Sequence, residues 1–332
     1  MRYTENLPRR GEFDYRTVVG PHRADPDEIA LDVPLLGLPL STTYLYGTLR
    51  DLEGDLFSAM RRIYAGNGGR ERFLLQSTID NTDLKVHPAS RHSARATGVT
   101  RGTQDGTFRF ESDPAAEGEP FHIEATATAF TWTEGDTLDL TGRLVPPGTQ
   151  WHLPARERGM AYLSQLYEVE GTILGREVGG FLGMDDVYMH GEMYDGNDIL
   201  VGDKAHILWY TWATRYTDGS LDFGHFLVGH EQLAFALLAN EKTEVFTSHD
   251  IDAQVTFDQT GTWVAGIDLT ASGQQWEFLP DPRGRMVDFM PMPNPQVEGR
   301  WRRVGDTREP LTWFAWGEGA PSHGDRRRAP RW

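Results

Sequence analysis

The chain has 332 residues, of which 39% are hydrophobic, and its 49 acidic residues against 32 lysines and arginines give a formal net charge of −17. A chain of this length can bury a substantial core as one large domain or two smaller ones, while the negative charge argues against a nucleic-acid or anionic-membrane partner, because both need a basic face. The absence of cysteine excludes disulfides, thiolate metal sites and a thiol nucleophile.

The first 40 residues are polar and contain several prolines, so we expect residues 1–40 to form an irregular lead-in. This region lacks the apolar core of a signal peptide, and no apolar run in the chain approaches the ~20 residues of a membrane span. We therefore expect a cytoplasmic protein with no stable membrane insertion. The basic residues of the tail, 321–332, are expected to lie in solvent.

Short alternations of apolar and polar residues recur between glycine-containing turns after residue 40, which predicts antiparallel β-strands. Many short strands over this length favour an all-β fold of barrels or sandwiches over a parallel α/β sheet. Two polar stretches, near 143–159 and 239–254, interrupt this pattern and indicate that the chain has two parts. The best helix candidate, 230–242, could equally be a strand and a turn. Five stretches are predicted to form hairpins, namely 42–64, 121–144, 165–181, 207–228 and 274–290.

The stretch GGFLGMDDVYMHG, residues 179–191, places the adjacent acids Asp185 and Asp186 in otherwise mostly apolar surroundings. Consecutive side chains on a strand point to opposite faces, so only one of the two can face a given cavity. A carboxyl held in an aromatic pocket has its charged form disfavoured, which raises its pKa and lets it act as an acid near neutral pH. For either acid, bracing of a loop through backbone hydrogen bonds is the alternative interpretation.

The hairpin over 207–228 contains Asp218-Gly219, a signal for a two-residue type I′ turn. Such a turn predicts that Thr217 faces Ser220, and this pairing sets the register of both strands.

In that register Arg215 lies opposite Asp222. Cross-strand pairs of opposite charge are typical of a solvent-exposed face of a sheet. The other, aromatic face is therefore expected to point inward, with His225 across from Trp212. The residues predicted to share this inward face include Tyr210, Trp212, Tyr216, Phe223 and His225.

Three stretches resemble a known family: 161–189, 207–220 and 297–319. The first has a strand of the form VEGTI, a glycine-containing turn, a second strand and then an acid-aromatic segment. The second reads ILWYTWATRYTDGS, and the third contains VEGRWRRVGD and WFAWGEG. Together they resemble the AttH-like and carotenoid 1,2-hydratase superfamily, which includes hydroxyneurosporene synthases, kievitone-hydratase relatives and lipocalin-like Diels–Alderases.

The resemblance implies two lipocalin-like antiparallel β-barrels in tandem, over 41–190 and 191–320, with the strands near 180–240 open to assignment to either barrel. In the hydratase branch the acid-aromatic segment typically reads His-Asp-His-Asn-Trp, so Asp185 keeps the acid here and Tyr188 stands at the tryptophan position. Glu318 resembles an acid typical of the last strand, for which we expect a structural hydrogen-bonding role.

The residues and the resemblance together predict an enzyme without cofactor or metal that acts on a hydrophobic, terpenoid- or polyketide-like small molecule. The reaction would be an acid/base-assisted hydration, dehydration, isomerisation or cyclisation, as in a lyase or isomerase. In this hypothesis Asp185 or Asp186 donates the proton, while His225 or Tyr210 positions water or takes the proton. Aromatic faces shape the cavity and stabilise a developing cation. The substrate-binding candidates are Tyr188, Trp212, Tyr216 and Phe223.

Two other functions fit the same residues. The protein could be a non-catalytic carrier of hydrophobic ligands, or a pericyclase that holds its substrate in a reactive conformation. Tyr210 and Trp212 could be plain core, and His225 could be a hydrogen-bonded barrel histidine. Metal-ligand spacing is missing, because His225 and His230 are five residues apart and would point to opposite faces of a strand.

Overall fold

The computed structural model of the protein describes residues 17–23, 33–64, 68–69, 72–92, 99–104, 106–154, 159–193, 200, 206–229, 233–288 and 295–319. Strands make up the regular structure of these ranges apart from one 3₁₀ turn at Pro88–His92, so the prediction of an all-β fold is confirmed. No helix with the length and apolar character needed to cross a bilayer occurs in the described ranges. The predicted basic tail lies outside them.

The described part of the chain contains twenty-two strands. The first thirteen are β1 (Val18–His22), β2 (Leu40–Asp51), β3 (Leu56–Tyr64), β4 (Gly68–Gly69), β5 (Phe73–Thr78), β6 (Asn81–Val86), β7 (Val99–Gln104), β8 (Thr107–Ser112), β9 (Phe121–Ala125), β10 (Ala129–Glu134), β11 (Leu138–Leu153), β12 (Met160–Ile173) and β13 (Arg176–Met189). The remaining nine are β14 (His206–Tyr216), β15 (Leu221–Gly229), β16 (Phe235–Asn240), β17 (Val245–Ser248), β18 (Ile251–Phe257), β19 (Val264–Ala271), β20 (Gln274–Met286), β21 (Val297–Arg303) and β22 (Pro310–Gly319).

The first thirteen strands build one antiparallel sheet. Strands β7 to β13 pair in chain order, β13 pairs with β2, and the sheet continues through β3 and β5 to β6, with β1 beside one end of β11. The alternation of residues explains the packing, since in β9 Phe121 and Ile123 are buried while His122 and Glu124 on the other face are partly exposed. Side chains of this kind form the first core, on one face of the sheet.

The last nine strands form a second part. A five-stranded antiparallel sheet runs in the order β17, β16, β15, β14 and β22, and β18 to β21 pair in chain order. Between them lies an aromatic core that includes Tyr210, Phe226, Trp276 and Trp301, which we term the rear core. A short parallel pairing of β20 with β6 connects this part to the first sheet.

A third core joins the two parts, and we term it the junction core. The face of β2, β12 and β13 opposite to the first core contributes Tyr46 and Tyr162, while β14 and β15 contribute Trp209 and Phe223. Because both faces of β13 are covered in this way, its last ten residues are all buried. The two tandem barrels and their boundaries, 41–190 and 191–320, stay predictions.

The turn signals located most of the hairpins. Chain segments 42–64, 121–144 and 165–181 form the predicted antiparallel neighbours, and the ambiguous stretch 230–242 contains the strand β16. Within the predicted irregular lead-in, Val18–His22 forms β1.

The hairpin predicted over 274–290 is wrong, because Gln274–Met286 is one strand. Pro280 pairs with Gly299 and Arg285 pairs with Val297, so the four residues between them bulge out opposite Glu298. After the bulge the strand continues to its pairing with β6 instead of turning back.

The predicted register of the β14–β15 hairpin is also wrong, by one residue. The amide of Tyr216 donates to the carbonyl of Ser220 at 2.9 Å, the amide of Gly219 donates back to the carbonyl of Tyr216 at 3.0 Å, and only Gly219 in this turn has a positive φ, of 85°. A type I′ turn needs positive φ at both central residues. The loop therefore has three residues, and Arg215 pairs with Leu221 instead of Asp222.

A shift of one residue moves every side chain of one strand to the other face. His225 consequently pairs with Thr211 on the junction face, while Trp212 pairs with Gly224 on the rear face. Arg215 contacts Glu168 instead of the predicted Asp222, with 2.7 Å between Nη2 and Oε2.

Candidate active site

A small cavity lies within the junction core. The space open to the centres of water molecules is about 60 Å³, enough for several ordered waters. The first sheet contributes one wall and β14 and β22 contribute the other. The lining residues are Tyr44, Tyr46, Met60, Tyr162, Asp185, Met193, Trp209, Thr211, Gln296, Trp316, Gly317 and Glu318.

Asp185 lines this cavity, and it is only 2% exposed. Its Oδ2 accepts hydrogen bonds from the hydroxyls of Tyr46 at 2.8 Å and Tyr162 at 2.7 Å, and its Oδ1 accepts one from Ser164 at 2.5 Å. The registers explain this arrangement, because Ser164 pairs directly with Asp185 while the two tyrosines are diagonal neighbours on the adjacent strands. Three hydroxyls thus orient one buried carboxyl.

One glycine of the GGFLG motif makes room for this arrangement. A Cβ on Gly183 would lie 2.9 Å from Cζ of Tyr46, so the tyrosine ring lies over this position of β13. Gly183 and Asp185 are two residues apart and share a face of the strand. The glycine therefore lets the Tyr46 ring cross β13 and place its hydroxyl on the carboxylate.

Burial raises the pKa of Asp185 to about 6, and the hydrogen bonds from Ser164, Tyr162 and Tyr46 oppose the rise because they favour the charged form. Such a pKa leaves both the acid and the carboxylate accessible near neutral pH. A carboxyl of this kind can release and recover a proton during turnover.

Hydrogen bonds extend from Asp185 to His225. The hydroxyl oxygen of Tyr46 lies 2.9 Å from Oγ1 of Thr211, and that oxygen lies 3.1 Å from Nδ1 of His225. Burial lowers the pKa of His225 to about 3, so its imidazole is neutral over the physiological range. Burial, followed by the nearby charge of Asp185, raises the pKa of Tyr46 well above its usual value.

The opposite wall supplies aromatic rings and a second acid. The ring of Trp209 packs edge-on against Tyr162 with centroids 4.9 Å apart, and Trp316 packs edge-on against Tyr46 at 5.4 Å. Glu318 is 4% exposed, and its Oε1 lies 3.4 Å from Nε2 of His206. The structural acid expected at Glu318 thus also lines the cavity.

Asp186 lies on the other face of β13. It is fully buried and accepts a hydrogen bond from the Thr43 hydroxyl at 2.7 Å. Its charge adds to burial in raising the pKa of Tyr167, which belongs to the first core. Tyr188, predicted to bind substrate, is on this same face and also packs in the first core. Neither Asp186 nor Tyr188 lines the cavity.

The other predicted residues are divided between the two faces of the second part. Tyr210 and Trp212 belong to the rear core, because the register shift separates them from His225. Tyr216 lies under the guanidinium of Arg308, 3.8 Å from its ring centroid. Phe223 belongs to the junction core without lining the cavity.

Sequence reasoning missed the tyrosines that hold Asp185. The patterns TTYLYG and AYLSQ place Tyr46, Tyr162 and Ser164 at alternating positions of strands, which indicates a shared polar face. Only the pairing of β2 and β12 on either side of β13 shows that this face meets Asp185.

A second carboxyl with a raised pKa lies at the junction, away from the cavity. Burial raises the pKa of Glu298 to about 7, and Arg50, 3.6 Å away, partly offsets this. Glu298 accepts hydrogen bonds from the Thr48 hydroxyl at 2.8 Å and from the Ala315 amide at 3.0 Å. These contacts connect β2, β21 and β22, so we assign Glu298 a structural role.

Among the described residues, one cluster of acids is compact enough to hold a metal ion, namely Asp51, Glu53 and Asp55. The guanidinium of Arg176 already contacts all three carboxylates, with 2.7 Å to Glu53 and 2.6 Å to Asp55. The cluster is therefore an ion-pair network at the β2–β3 turn.

No family model and no curated protein matches the sequence. The solved structures that are similar to the chain include the following three. An AttH candidate from Nitrosomonas europaea is 14% identical with a TM-score of 0.46, over 88% of this chain and 98% of that one. Kievitone hydratase from Nectria haematococca is 11% identical with a TM-score of 0.45, over 92% and 98%. CghA is 11% identical with a TM-score of 0.46, over 91% and 98%.

The AttH candidate and the kievitone hydratase carry names of the superfamily that the sequence resembles.

Proposed function

We propose that the protein is an enzyme that uses Asp185 as a general acid on a hydrophobic, terpenoid- or polyketide-like small molecule. The reaction class is hydration or dehydration, isomerisation or cyclisation, and the chain's own side chains supply the acid–base groups. The observation that carries the proposal is the buried carboxyl of Asp185, which lines a cavity, is oriented by three hydroxyls and has its pKa raised to about 6. Binding a ligand requires no such group.

Proton transfer from Asp185 to an alkene or carbonyl of the substrate would create a developing positive charge. The aromatic faces of Trp209 and Trp316 in the cavity wall would stabilise that charge by cation–π attraction. Loss of a proton from an adjacent carbon to the Asp185 carboxylate would complete an isomerisation. Attack by water, or by an internal double bond, followed by loss of one proton to that carboxylate would complete a hydration or a cyclisation. The cavity is small enough that only the reacting part of the substrate would enter it.

Turnover in heavy water tests the assignment. The protein is incubated with a panel of terpenoid and polyketide alkenes in D₂O, and the products are analysed by mass spectrometry for deuterium on carbon. We expect one deuterium per product, because the exchangeable proton of Asp185 is transferred to carbon. The Asp185→Asn variant is expected to lose about 10²- to 10⁴-fold in rate, the usual contribution of a general acid.

The Asp186→Asn variant is the matched control, because it makes the same chemical change one residue away on the face outside the cavity. Its rate should stay within about tenfold of the unmodified protein, with circular dichroism confirming that both variants fold. A pericyclase would keep its rate in Asp185→Asn, and a carrier would bind panel members with no product. Either result contradicts the proposal.

A further inference from the structure

Arg62 is a buried cation on the junction face of β3, and the residue is 5% exposed. Its Cζ lies 5.3 Å from the ring centroid of Tyr44 and 4.9 Å from that of Tyr64. None of the carboxylates in the described ranges forms an ion pair with it. Its Nε is enclosed without a hydrogen-bond acceptor, whereas Nη1 and Nη2 are not enclosed, so a ligand can reach the end of the guanidinium.

The other two buried arginines of the described ranges are paired with an acid. Arg61 and Arg72 both contact Glu134, with N–O distances of 2.8 and 2.7 Å. Arginine keeps its proton inside a protein, and a charge held away from water without a counter-ion is costly. Two aromatic faces offset only part of that cost. The surroundings of Arg62 therefore favour the binding of an anion.

The strand registers place Arg62 beside the candidate active site. Arg62 pairs with Tyr44 on β2, and Tyr44 pairs with Asp185 on β13, so the three residues form one row on one face of the sheet. Neighbouring strands lie ~4.8 Å apart, which puts the Cα atoms of Arg62 and Asp185 about 10 Å from each other. Two neighbours of Arg62 on this face, Tyr44 and Met60, line the cavity. A group bound to Arg62 would therefore lie next to the cavity.

We propose that Arg62 binds a carboxylate of the substrate while the reacting double bond occupies the cavity at Asp185. This inference rests on the proposed function and narrows the substrate class to hydrophobic carboxylic acids of the terpenoid or polyketide type. The planar guanidinium matches a carboxylate through two parallel N–H···O bonds, here from Nη1 and Nη2. The carboxylate end of the molecule is then the part that stays outside the small cavity.

The charges around the cavity favour a carboxylate over a diphosphate. No lysine or arginine is among the described residues that line the cavity, and two of these residues, Asp185 and Glu318, are acids. A diphosphate carries more than one negative charge, so a single guanidinium would leave it partly uncompensated next to these acids. A carboxylate carries one charge, which Arg62 alone can balance.

Binding of acids and their esters tests the assignment. Citronellic, geranic and octanoic acids are compared with their methyl esters by isothermal titration calorimetry at pH 7, at which carboxylic acids are ionised. We expect at least one acid to bind about 10- to 100-fold more tightly than its ester, because hydrogen bonds to a charged group contribute this much to affinity.

The variants assign this preference to one residue. It should vanish in Arg62→Met and persist in Arg303→Met, the matched control that removes an exposed arginine at the end of β21. The absence of any preference for acids in the unmodified protein overturns the proposal. So does a preference that survives in Arg62→Met.

The stability of the protein without ligand gives a second test. Arg62→Met removes a buried charge that has no counter-ion, so its urea midpoint should equal or exceed that of the unmodified protein. Arg61→Met is the matched control one residue away, and its midpoint should fall clearly because Glu134 loses one of its buried partners. A clear fall in Arg62→Met would assign the guanidinium a structural role and contradict the proposal.

The role of Arg62 and the role of Asp185 fail separately. Asp185→Asn should keep the preference for acids, since the carboxylate binds at Arg62. If the preference is absent and deuterium transfer is intact, only the role of Arg62 is wrong. If deuterium transfer is absent and the preference is intact, only the role of Asp185 as the acid is wrong.

Discussion

Asp185 and Asp186 are the same side chain one residue apart on β13, and their surroundings differ because consecutive residues face opposite sides of the sheet. Asp185 meets three hydroxyls and a cavity between the two parts of the molecule. Asp186 meets the Thr43 hydroxyl inside the first core and lines no described cavity. What a buried acid can do is thus set by the strands that cross its face.

Among the variants that test this difference, we expect the largest rate loss for a glycine substitution in β13. Gly183→Ala would place its Cβ 2.9 Å from the Tyr46 ring and push the hydroxyl away from Asp185. A displacement of about 1 Å in an acid–base site can cost on the order of 100-fold in rate, so we expect a loss of about that size in the heavy-water assay.

Gly179→Ala is the matched control, since it lies on the same face of the same strand and its Cβ would meet only Val169 O at 3.8 Å. Equal rate losses in the two variants would show that Gly183 does not serve the placement of Tyr46.

The dependence of stability on pH tests whether the charge on Asp185 is costly. Its pKa rises from 3.8 to about 6 on folding, so its favourable contribution is complete below pH 3.8 and is lost as the pH rises through 6. Relative to Asp185→Asn, the unmodified protein should lose on the order of 3 kcal/mol in free energy of unfolding between pH 4 and 7. Urea denaturation at each pH measures this difference.

Two further variants show that the effect belongs to Asp185. Glu298→Gln should remove a separate loss that develops as the pH rises from 4.5 to about 7, the value to which burial raises the pKa of Glu298. Asp80→Asn, at an exposed turn, should follow the unmodified protein. If the free energy of unfolding of Asp185→Asn changed with pH in parallel with that of the unmodified protein, the charge on Asp185 would not destabilise the fold.

The smallest expected effect comes from the hydroxyls that hold the carboxylate. Because the Tyr162 and Ser164 hydrogen bonds favour the charged form, removing either in Tyr162→Phe or Ser164→Ala should raise the pKa of Asp185 further. The pH at which turnover falls to half should move upward, with a stability loss of about 1–3 kcal/mol at high pH. A downward movement would contradict the assigned direction of these hydrogen bonds.

Local sequence signals predicted elements better than they predicted registers. Alternation and turn residues located hairpins such as those over 42–64 and 165–181. The Asp218-Gly219 pair indicated a turn correctly but not its type, because a type I′ loop and a three-residue loop ending in a left-handed glycine share the same residues. That single error moved Tyr210 and Trp212 into the expected site.

The candidate site was only half visible in the sequence. The two acids stand out in GGFLGMDDVYMHG because charges are rare in apolar strands. Tyr46 and Thr211 lie 139 and 26 residues from Asp185 and look like ordinary strand residues. Their approach to Asp185 depends on long-range strand pairing and on the packing of the two parts. The local alternation of apolar and polar residues does not predict either.

The pKa of the Asp185 side chain is the most direct measurement. Protein labelled with ¹³C in its aspartate carboxyl groups can be titrated from pH 3 to 9, with Asp185→Asn identifying the resonance. A midpoint near 6 is the expected result, since burial outweighs three hydrogen bonds that favour the carboxylate. A midpoint at or below about 4, the value of a solvated aspartate, would show that Asp185 is ionised throughout the neutral range and holds no proton to donate.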